Sequence, residues 1–141
     1  MPEVKKEITR WRDLDFNDRH RLYGFDCPAL DLDFLEYDNK KAVALIEYKN
    51  ENAPEINPVE LSANLLALID LGNKANIPVF FCRYWKDYSK FRIVPLNNIA
   101  KTILSAKQEL TEYGFVKFLY EMRNREIPDG LFDDMGKLIV K

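Results

Sequence analysis

The sequence has few of the residues that form metal clusters or membrane spans. It contains one histidine, His20, and two cysteines, Cys27 and Cys82, whose separation does not match a metal-ligand motif. A histidine-based zinc site is therefore not expected, and each cysteine is interpreted as a small buried thiol beside a predicted strand. No run of eighteen apolar residues occurs, so the sequence predicts no membrane span and no membrane partner.

The chain also has no strong excess of charge of either sign. Its net charge is −2, which gives no global attraction to nucleic acid, so any such role needs local basic patches. The first residues, MPEVKKEITRWRDLD, are charged throughout and do not form a secretory signal, so we expect a soluble cytoplasmic protein. The length of 141 residues predicts a single domain.

Hydrophobic periodicity predicts an α/β fold with the order α-β-β-α-β-β-α-α, in which helices flank a mixed sheet. The helix that follows the first two strands is expected to have Asn57 as its N-cap and Pro58 at its first position. A polar connector, FNDRHRLYGFDCP, is expected between the first helix and the first strand. The predicted helices are Glu3–Leu14, Asn57–Gly72, Asn98–Lys107 and Thr111–Arg125, and the predicted strands are Ala29–Tyr37, Ala42–Lys49, IPVFFCRYW and FRIVPLN.

Charged residues interrupt both strands of the predicted hairpin DLDFLEYDNKKAVALIEYK. Side chains alternate between the faces of a strand, so Asp31 and Asp33 share one face, and Glu47 and Lys49 share one face of the partner. A three-residue loop, residues 39–41, places Asp33 opposite Glu47 and Asp31 opposite Lys49. A two-residue loop would put the two acidic sets on opposite faces of the sheet.

Two carboxylates facing each other across strands repel, and burial of uncompensated charges is costly. A hard divalent cation between them would convert this repulsion into a binding site, because such ions prefer oxygen ligands. Lys49 beside the ion could stabilise negative charge at a reacting phosphorus centre. The alternative is that the acids form the ordinary solvent face of an edge strand, with an ion pair between Asp31 and Lys49.

The hairpin resembles the PD-(D/E)XK nuclease superfamily, which has a restriction-endonuclease-like or Holliday-junction-resolvase-like fold. DLDF supplies the first acid and IEYK supplies Glu47-x-Lys49, with thirteen residues between Asp33 and Glu47. PVELSANLLALIDLGNKA and IPVFFCRY resemble the following helix and strand. The resemblance covers about residues 1–95 and leaves 96–141 as a C-terminal helical addition to a single nuclease-like domain.

The resemblance implies an endonuclease or exonuclease that hydrolyses phosphodiester bonds with Mg²⁺ or Mn²⁺. It implies Asp33, Glu47 and Lys49 as catalytic residues, with Asp31 as an alternative acid. It also implies that Asp33, Glu47 and the main-chain carbonyl of Tyr48 hold the metal. The chain departs from the family because the Pro-Asp pair is absent, and Asn64 is the nearest counterpart of a polar helix residue.

Basic residues on both sides of the hairpin could hold a phosphate backbone. The expected contacts are Arg19, Arg21, Arg83, Lys86 and Asn64. DNA is favoured over RNA by analogy with the family, and the compact size favours structure-selective cleavage or targeting by a partner protein. A homodimer is also compatible with the family. The alternative function is a catalytically inactive nuclease-fold module that binds nucleic acid or protein.

Overall fold

The computed structural model describes residues 14–24, 26, 28–30, 32, 34–57 and 60–139. The chain divides into two compact units, Met1–Asp31 and Leu32–Lys141. The first unit contains one described helix, α1 (Leu14–Arg21). The second contains β1 (Phe34–Asp38), β2 (Lys41–Asn50), α2 (Ala63–Ala75), β3 (Val79–Tyr84), β4 (Phe91–Pro95), α3 (Asn98–Ile103), β5 (Gln108–Leu110) and α4 (Glu112–Glu121).

The five strands form one mixed sheet in the order β1-β2-β3-β4-β5. Strands β2 and β3 are parallel, and the other neighbours are antiparallel. The parallel step needs a crossover, which α2 provides. The α/β class and the mixed sheet are confirmed, but the predicted order was wrong in one respect. Residues 108–110 form the edge strand β5 between α3 and α4, where the sequence predicted only a loop between two helices.

The β1–β2 hairpin has a two-residue turn and a bulge in place of the predicted three-residue loop. Asp38 pairs with Lys41, and the turn residues Asn39 and Lys40 both have positive φ, 48° and 69°, as a type I′ turn requires. The register shifts by one residue between Glu36 and Tyr37, so that Phe34 pairs with Ile46. Beyond the bulge, from the pair Glu36–Ala44 to the pair Phe34–Ile46, the strands therefore have the register that the three-residue loop was expected to give.

The two faces of the sheet carry different residues because side chains alternate along each strand. One face buries an apolar cluster in which Ala44, Ile46, Phe80 and Cys82 pack with Phe115 of α4. Helix α2 covers the opposite face, since a Cβ built on Gly72 would lie 2.2 Å from Val79 Cγ2. Glycine at position 72 thus permits the close approach of α2 to β3.

Helix α2 begins later than the sequence predicts. Its N-cap is Ser62, whose hydroxyl accepts a hydrogen bond from the Leu65 amide at 3.2 Å, so the expected N-cap Asn57 was wrong. At the other end, the buried Asn97 joins α2, β3 and α3. Its Oδ1 accepts from the amides of Val79 and Ala100, and its Nδ2 donates to the Ile77 carbonyl at 3.0 Å.

Other predicted boundaries also require correction. The first strand begins at Phe34, whereas the sequence predicted a start at Ala29, and β1 is a half-exposed strand at the edge of the sheet. Helix α1 lies where a connector was expected, and most of the predicted helix Glu3–Leu14 is outside the described residues. None of the described helices is both long enough and apolar enough to cross a bilayer.

The C-terminal third of the chain belongs to the same packing unit as the hairpin. Strand β5 extends the sheet from β4, and Phe115 of α4 stacks on Phe91 with ring centroids 4.6 Å apart. After α4, a bridge between Phe132 and Leu138 closes a short turn, and the Phe132 ring packs edge-on against Tyr113. Residues of α3, β5 and α4 therefore contribute to the hydrophobic core of the sheet.

Candidate active site

Glu47 and Lys49 lie on the same face of β2, as strand parity predicts. The Lys49 Nζ is 3.3 Å from Glu47 Oε1. The Glu47 side chain is only 16% exposed, whereas the Lys49 side chain is 51% exposed. A shallow depression beside Glu47 is lined by apolar residues that include Leu32, Leu45 and Leu68. The carboxylate thus has an apolar surround on one side and the ammonium on the other.

Tyr48, between the two charged residues, is anchored in the opposite face. Its ring packs edge-on against Phe34 and Phe115, with centroid distances of 4.7 and 6.1 Å. Burial raises the pKa of the Tyr48 phenol well above its usual value, and the charge of Glu36 adds to this shift. The tyrosine side chain is therefore neutral and fixed, so its packing holds the backbone that carries Glu47 and Lys49.

The main-chain carbonyl of Tyr48 points away from β3. In a parallel ladder, alternate residues direct their amide and carbonyl groups to the same neighbouring strand. The Leu45 amide donates to the Pro78 carbonyl at 3.0 Å, so Leu45, Glu47 and Lys49 face β3 with their backbone groups. Tyr48 accordingly directs its carbonyl toward the β1 side, where the described pairing of β1 stops at Phe34 with Ile46.

Lys49 begins a row of charged residues that crosses the sheet. Lys49 pairs with Arg83 of β3, Arg83 pairs with Arg92 of β4, and Arg92 pairs with Glu109 of β5. Directly paired residues share a face, so this row lies on the Glu47 side of the sheet. Arg92 Nη2 is 2.6 Å from Glu109 Oε1, and this hydrogen bond raises the pKa of Arg92 and lowers that of Glu109.

The loop after β2 folds back on this row through Glu51 and Glu55. Glu55 Oε1 is 3.0 Å from Arg83 Nη1 and also accepts a short hydrogen bond from Arg92 Nη1. Arg83 Nη2 donates to the Glu51 carbonyl, and the Lys86 amide donates to Glu51 Oε2 at 2.8 Å. The two predicted nucleic-acid contacts in this region, Arg83 and Lys86, are thus held against an acidic loop.

The Trp85 ring lies beside the same cations. The guanidinium carbons of Arg83 and Arg92 are 5.5 and 5.3 Å from its ring centroid, and Lys90 Nζ is 5.3 Å away. These distances are within the range of cation–π attraction. Trp85 therefore helps to keep these three cationic side chains close together.

The structure does not bring all predicted site residues together. Asp31 and Asp33 lie outside the described residues, so their expected pairing with Lys49 and Glu47 stays a prediction. Asn64 is exposed in the first turn of α2. Arg19 and Arg21 are exposed on α1 in the other compact unit, where Arg21 pairs with Asp18 at 3.7 Å. Within the described ranges, no three His, Cys, Asp or Glu residues form a metal-binding group.

Sequence reasoning missed Glu55 and Glu109 as partners of the arginines. Arg92 alternates with apolar residues in FRIVP, a pattern that does mark it as the polar side of a strand. The register between β2, β3 and β4 then decides that Arg92 aligns with Lys49. No local signal gives that register, because β2 and β3 are joined by a long crossover.

Comparison with known proteins gave no match: no protein-family model, no curated protein and no solved structure matches this chain. The resemblance of the hairpin to PD-(D/E)XK nucleases therefore stays a prediction.

Proposed function

We propose that the protein is a divalent-metal-dependent nuclease that hydrolyses phosphodiester bonds, with Glu47 and Lys49 in its active site. The observation that carries this proposal is the contact between these two side chains, 3.3 Å apart on one face of β2. A mostly buried carboxylate beside a half-exposed ammonium suits a centre in which one group binds a cation and the other meets the substrate.

The described donor set fits a hard divalent ion. Glu47 offers a carboxylate oxygen, and Tyr48 offers a main-chain carbonyl directed toward the β1 side, and oxygen ligands are those that Mg²⁺ and Mn²⁺ prefer. Asp33, or Asp31 in its place, would complete the protein ligands. When bound, the ion would supply Lewis-acid stabilisation of a phosphoryl oxygen and a more acidic water.

Each residue of this chain then has a distinct role. Glu47 holds the cation, and Lys49 places a compact positive charge where the phosphorus centre gains negative charge. Packing of Tyr48 between Phe34 and Phe115 fixes the geometry of both neighbours. The register of Phe34 with Ile46 supports the role of Asp33, because the same register continued by one pair would bring residue 33 opposite Glu47.

The substrate is proposed to be nucleic acid, with DNA favoured by analogy to the family. The charged row next to Lys49 supports a polyanionic substrate, because Arg83 and Arg92 extend positive charge across two further strands. Selection of a particular DNA structure, a homodimer or a targeting partner would compensate for the small size of the domain.

A second candidate is an inactive nuclease-fold module that binds nucleic acid or protein. It treats the Lys49–Glu47 ion pair as a structural contact on β2 that takes no part in cleavage. Under this alternative, removal of the Lys49 charge would lower stability and there would be no cleavage to lose.

Cleavage and stability measured on the same variants separate these candidates. The assay uses single-stranded, duplex, flap and four-way DNA with Mg²⁺, with Mn²⁺ and with chelator. We expect Lys49→Ala to retain metal and DNA binding but to lose about a hundredfold or more in turnover, as for other positioned electrostatic groups. Glu47→Ala should lose both metal binding and cleavage. Lys49→Arg should not rescue, because a broad guanidinium cannot replace a compact charge.

Lys74→Ala is the matched control, because Lys74 also forms an ion pair, with Asp70 at 2.8 Å, on the exposed surface of α2. It should cleave like the wild type. A Lys49→Ala protein that cuts at the wild-type rate would refute the catalytic assignment. Absence of any metal-dependent cleavage in the wild-type protein, together with a lower melting temperature of Lys49→Ala, would favour the inactive module.

A further inference from the structure

A small pocket of about 50 Å³ opens at the two arginines in the middle of the charged row. It lies between β3, β4 and the loop that follows β2. Three of its lining residues are cations, and one is a carboxylate. The lining consists of Glu55, Ile56, Phe81, Arg83, Arg92, Val94 and Lys107. The pocket therefore combines an apolar floor with a concentration of positive charge.

The two arginines are fixed and mostly buried. Their side chains are 16% and 22% exposed for Arg83 and Arg92, and both stand beside the Trp85 ring. Cross-strand pairing of β3 and β4 sets the separation of the two residues. A guanidinium that is already ordered loses less conformational entropy when it binds an anion. The two guanidinium groups are thus preorganised for an anionic ligand.

Glu55 differs from the cations that it contacts. Its side chain is 60% exposed, and it lies in a loop outside the helices and strands. A single oxygen, Oε1, accepts from Nη1 of both Arg83 and Arg92. Because the Glu55 side chain is more than half exposed, water can solvate its carboxylate when another anion displaces it. Glu55 therefore binds both guanidiniums but can be replaced by another anion.

The hydrogen-bonding capacity of the two arginines is not fully used. Arg83 Nε is buried and has no hydrogen-bond partner among the described residues. The lining has three cations, Arg83, Arg92 and Lys107, and one carboxylate, Glu55, while Glu109 and Glu51 add negative charge beside it. A phosphate group carries more charge and more acceptor oxygens than one carboxylate, and it matches the guanidinium fork.

We propose that Arg83 and Arg92 form a phosphate-binding site and that Glu55 is its internal competitor. A phosphate group displaces the Glu55 carboxylate and takes hydrogen bonds from both guanidiniums. Arg83 is the direct neighbour of Lys49 across the β2–β3 ladder, and adjacent strands lie about 4.8 Å apart. The site would therefore hold a backbone phosphate next to the one that reacts. Only this last assignment, to a polynucleotide, rests on the proposed nuclease function.

Calorimetry on three single variants tests the site with inorganic phosphate as the probe and chelator present. We expect Glu55→Gln to bind phosphate at least about fivefold more tightly than the wild type, because it removes the competing charge. Arg92→Gln should lose detectable phosphate binding. Glu121→Gln is the matched control, since it removes one exposed carboxylate on α4, far along the chain from the pocket, and should bind like the wild type.

The same variants with a short single-stranded oligonucleotide distinguish the source of the phosphate. A gain for Glu55→Gln with both probes supports the complete proposal. A gain with inorganic phosphate alone supports the anion site and overturns its assignment to a polynucleotide. Equal phosphate affinity in Glu55→Gln and wild type, with a lower melting temperature for Glu55→Gln, would overturn the site and leave Glu55 as a structural ion pair. Metal-dependent cleavage by the wild type in that case would leave the nuclease proposal standing.

Discussion

The two faces of the β2–β3–β4 sheet differ sharply although they are built from alternate residues of the same strands. On one face, Ile46, Phe80 and Ile93 are buried in a continuous apolar cluster. On the other, Lys49, Arg83 and Arg92 follow the apolar residues that α2 covers. Each residue of the charged row is a direct chain neighbour of a core residue. The alternation of side chains along a strand nevertheless places the charged residues on the face opposite the core.

The largest expected effect lies on the apolar face. Phe80 is fully buried, and its ring packs edge-on against Phe118 at 5.3 Å. Phe80→Ala should lower the free energy of unfolding by about 3–5 kcal/mol, because it removes buried apolar contacts and leaves a cavity. Urea denaturation measures the loss. Phe34→Ala, at a half-exposed edge position, is the control and should cost much less; equal losses would contradict the division between the faces.

A smaller effect should appear at alkaline pH through Cys82, also on the apolar face. Burial raises the pKa of the Cys82 thiol from 9.0 to about 12. The folded state therefore keeps a proton that the unfolded state releases. The resulting stabilisation is complete below pH 9.0 and is lost as the pH rises from there toward 12. Chemical denaturation between about pH 8 and pH 10.5 should show this decline.

Cys82→Ala provides the control, since this variant should begin less stable but lack the part of the decline that comes from the thiol. Alkylation gives a second measurement. In a Cys27→Ser background, native Cys82 should react at least about a hundredfold more slowly than in urea, because the buried neutral thiol is a poor nucleophile. Rapid alkylation in the native state would contradict the burial of this face.

The smallest expected effect belongs to the charged face. The hydrogen bond from Arg92 lowers the pKa of Glu109, so this pair stabilises the fold above the ordinary pKa of glutamate. That contribution is lost as the pH falls through the lowered pKa of the folded state. Glu109→Gln should reduce the melting temperature slightly near about pH 7 and not at about pH 2.5, because exposed ion pairs contribute little. A larger loss than that of Phe80→Ala would reverse the comparison.

Local patterns predicted the elements better than their ends. The alternation at the end of AVALIEYK and the β-branched and aromatic residues of VFFCRY identified β2 and β3. Thr111 does begin a helix, as the N-cap of α4. The start of α2 was wrong because Asn57 and Ser62 are both acceptable N-cap residues, and it is the Ser62 hydroxyl that accepts a hydrogen bond from a helix amide, that of Leu65. The three-residue strand β5 was missed because its only support is its pairing with β4.

The sequence by itself determined which residues share a face. The period of two places Glu47 with Lys49, and Tyr48 opposite them, in any strand that includes these three residues. The tertiary structure decided what stands next to them. A bulge at Val43 set the register of the hairpin, and the crossover through α2 set that of β2 with β3. These long-range registers bring Arg83 and Arg92 into line with Lys49, because strand pairing depends on the packing of the whole sheet and not on neighbouring residues.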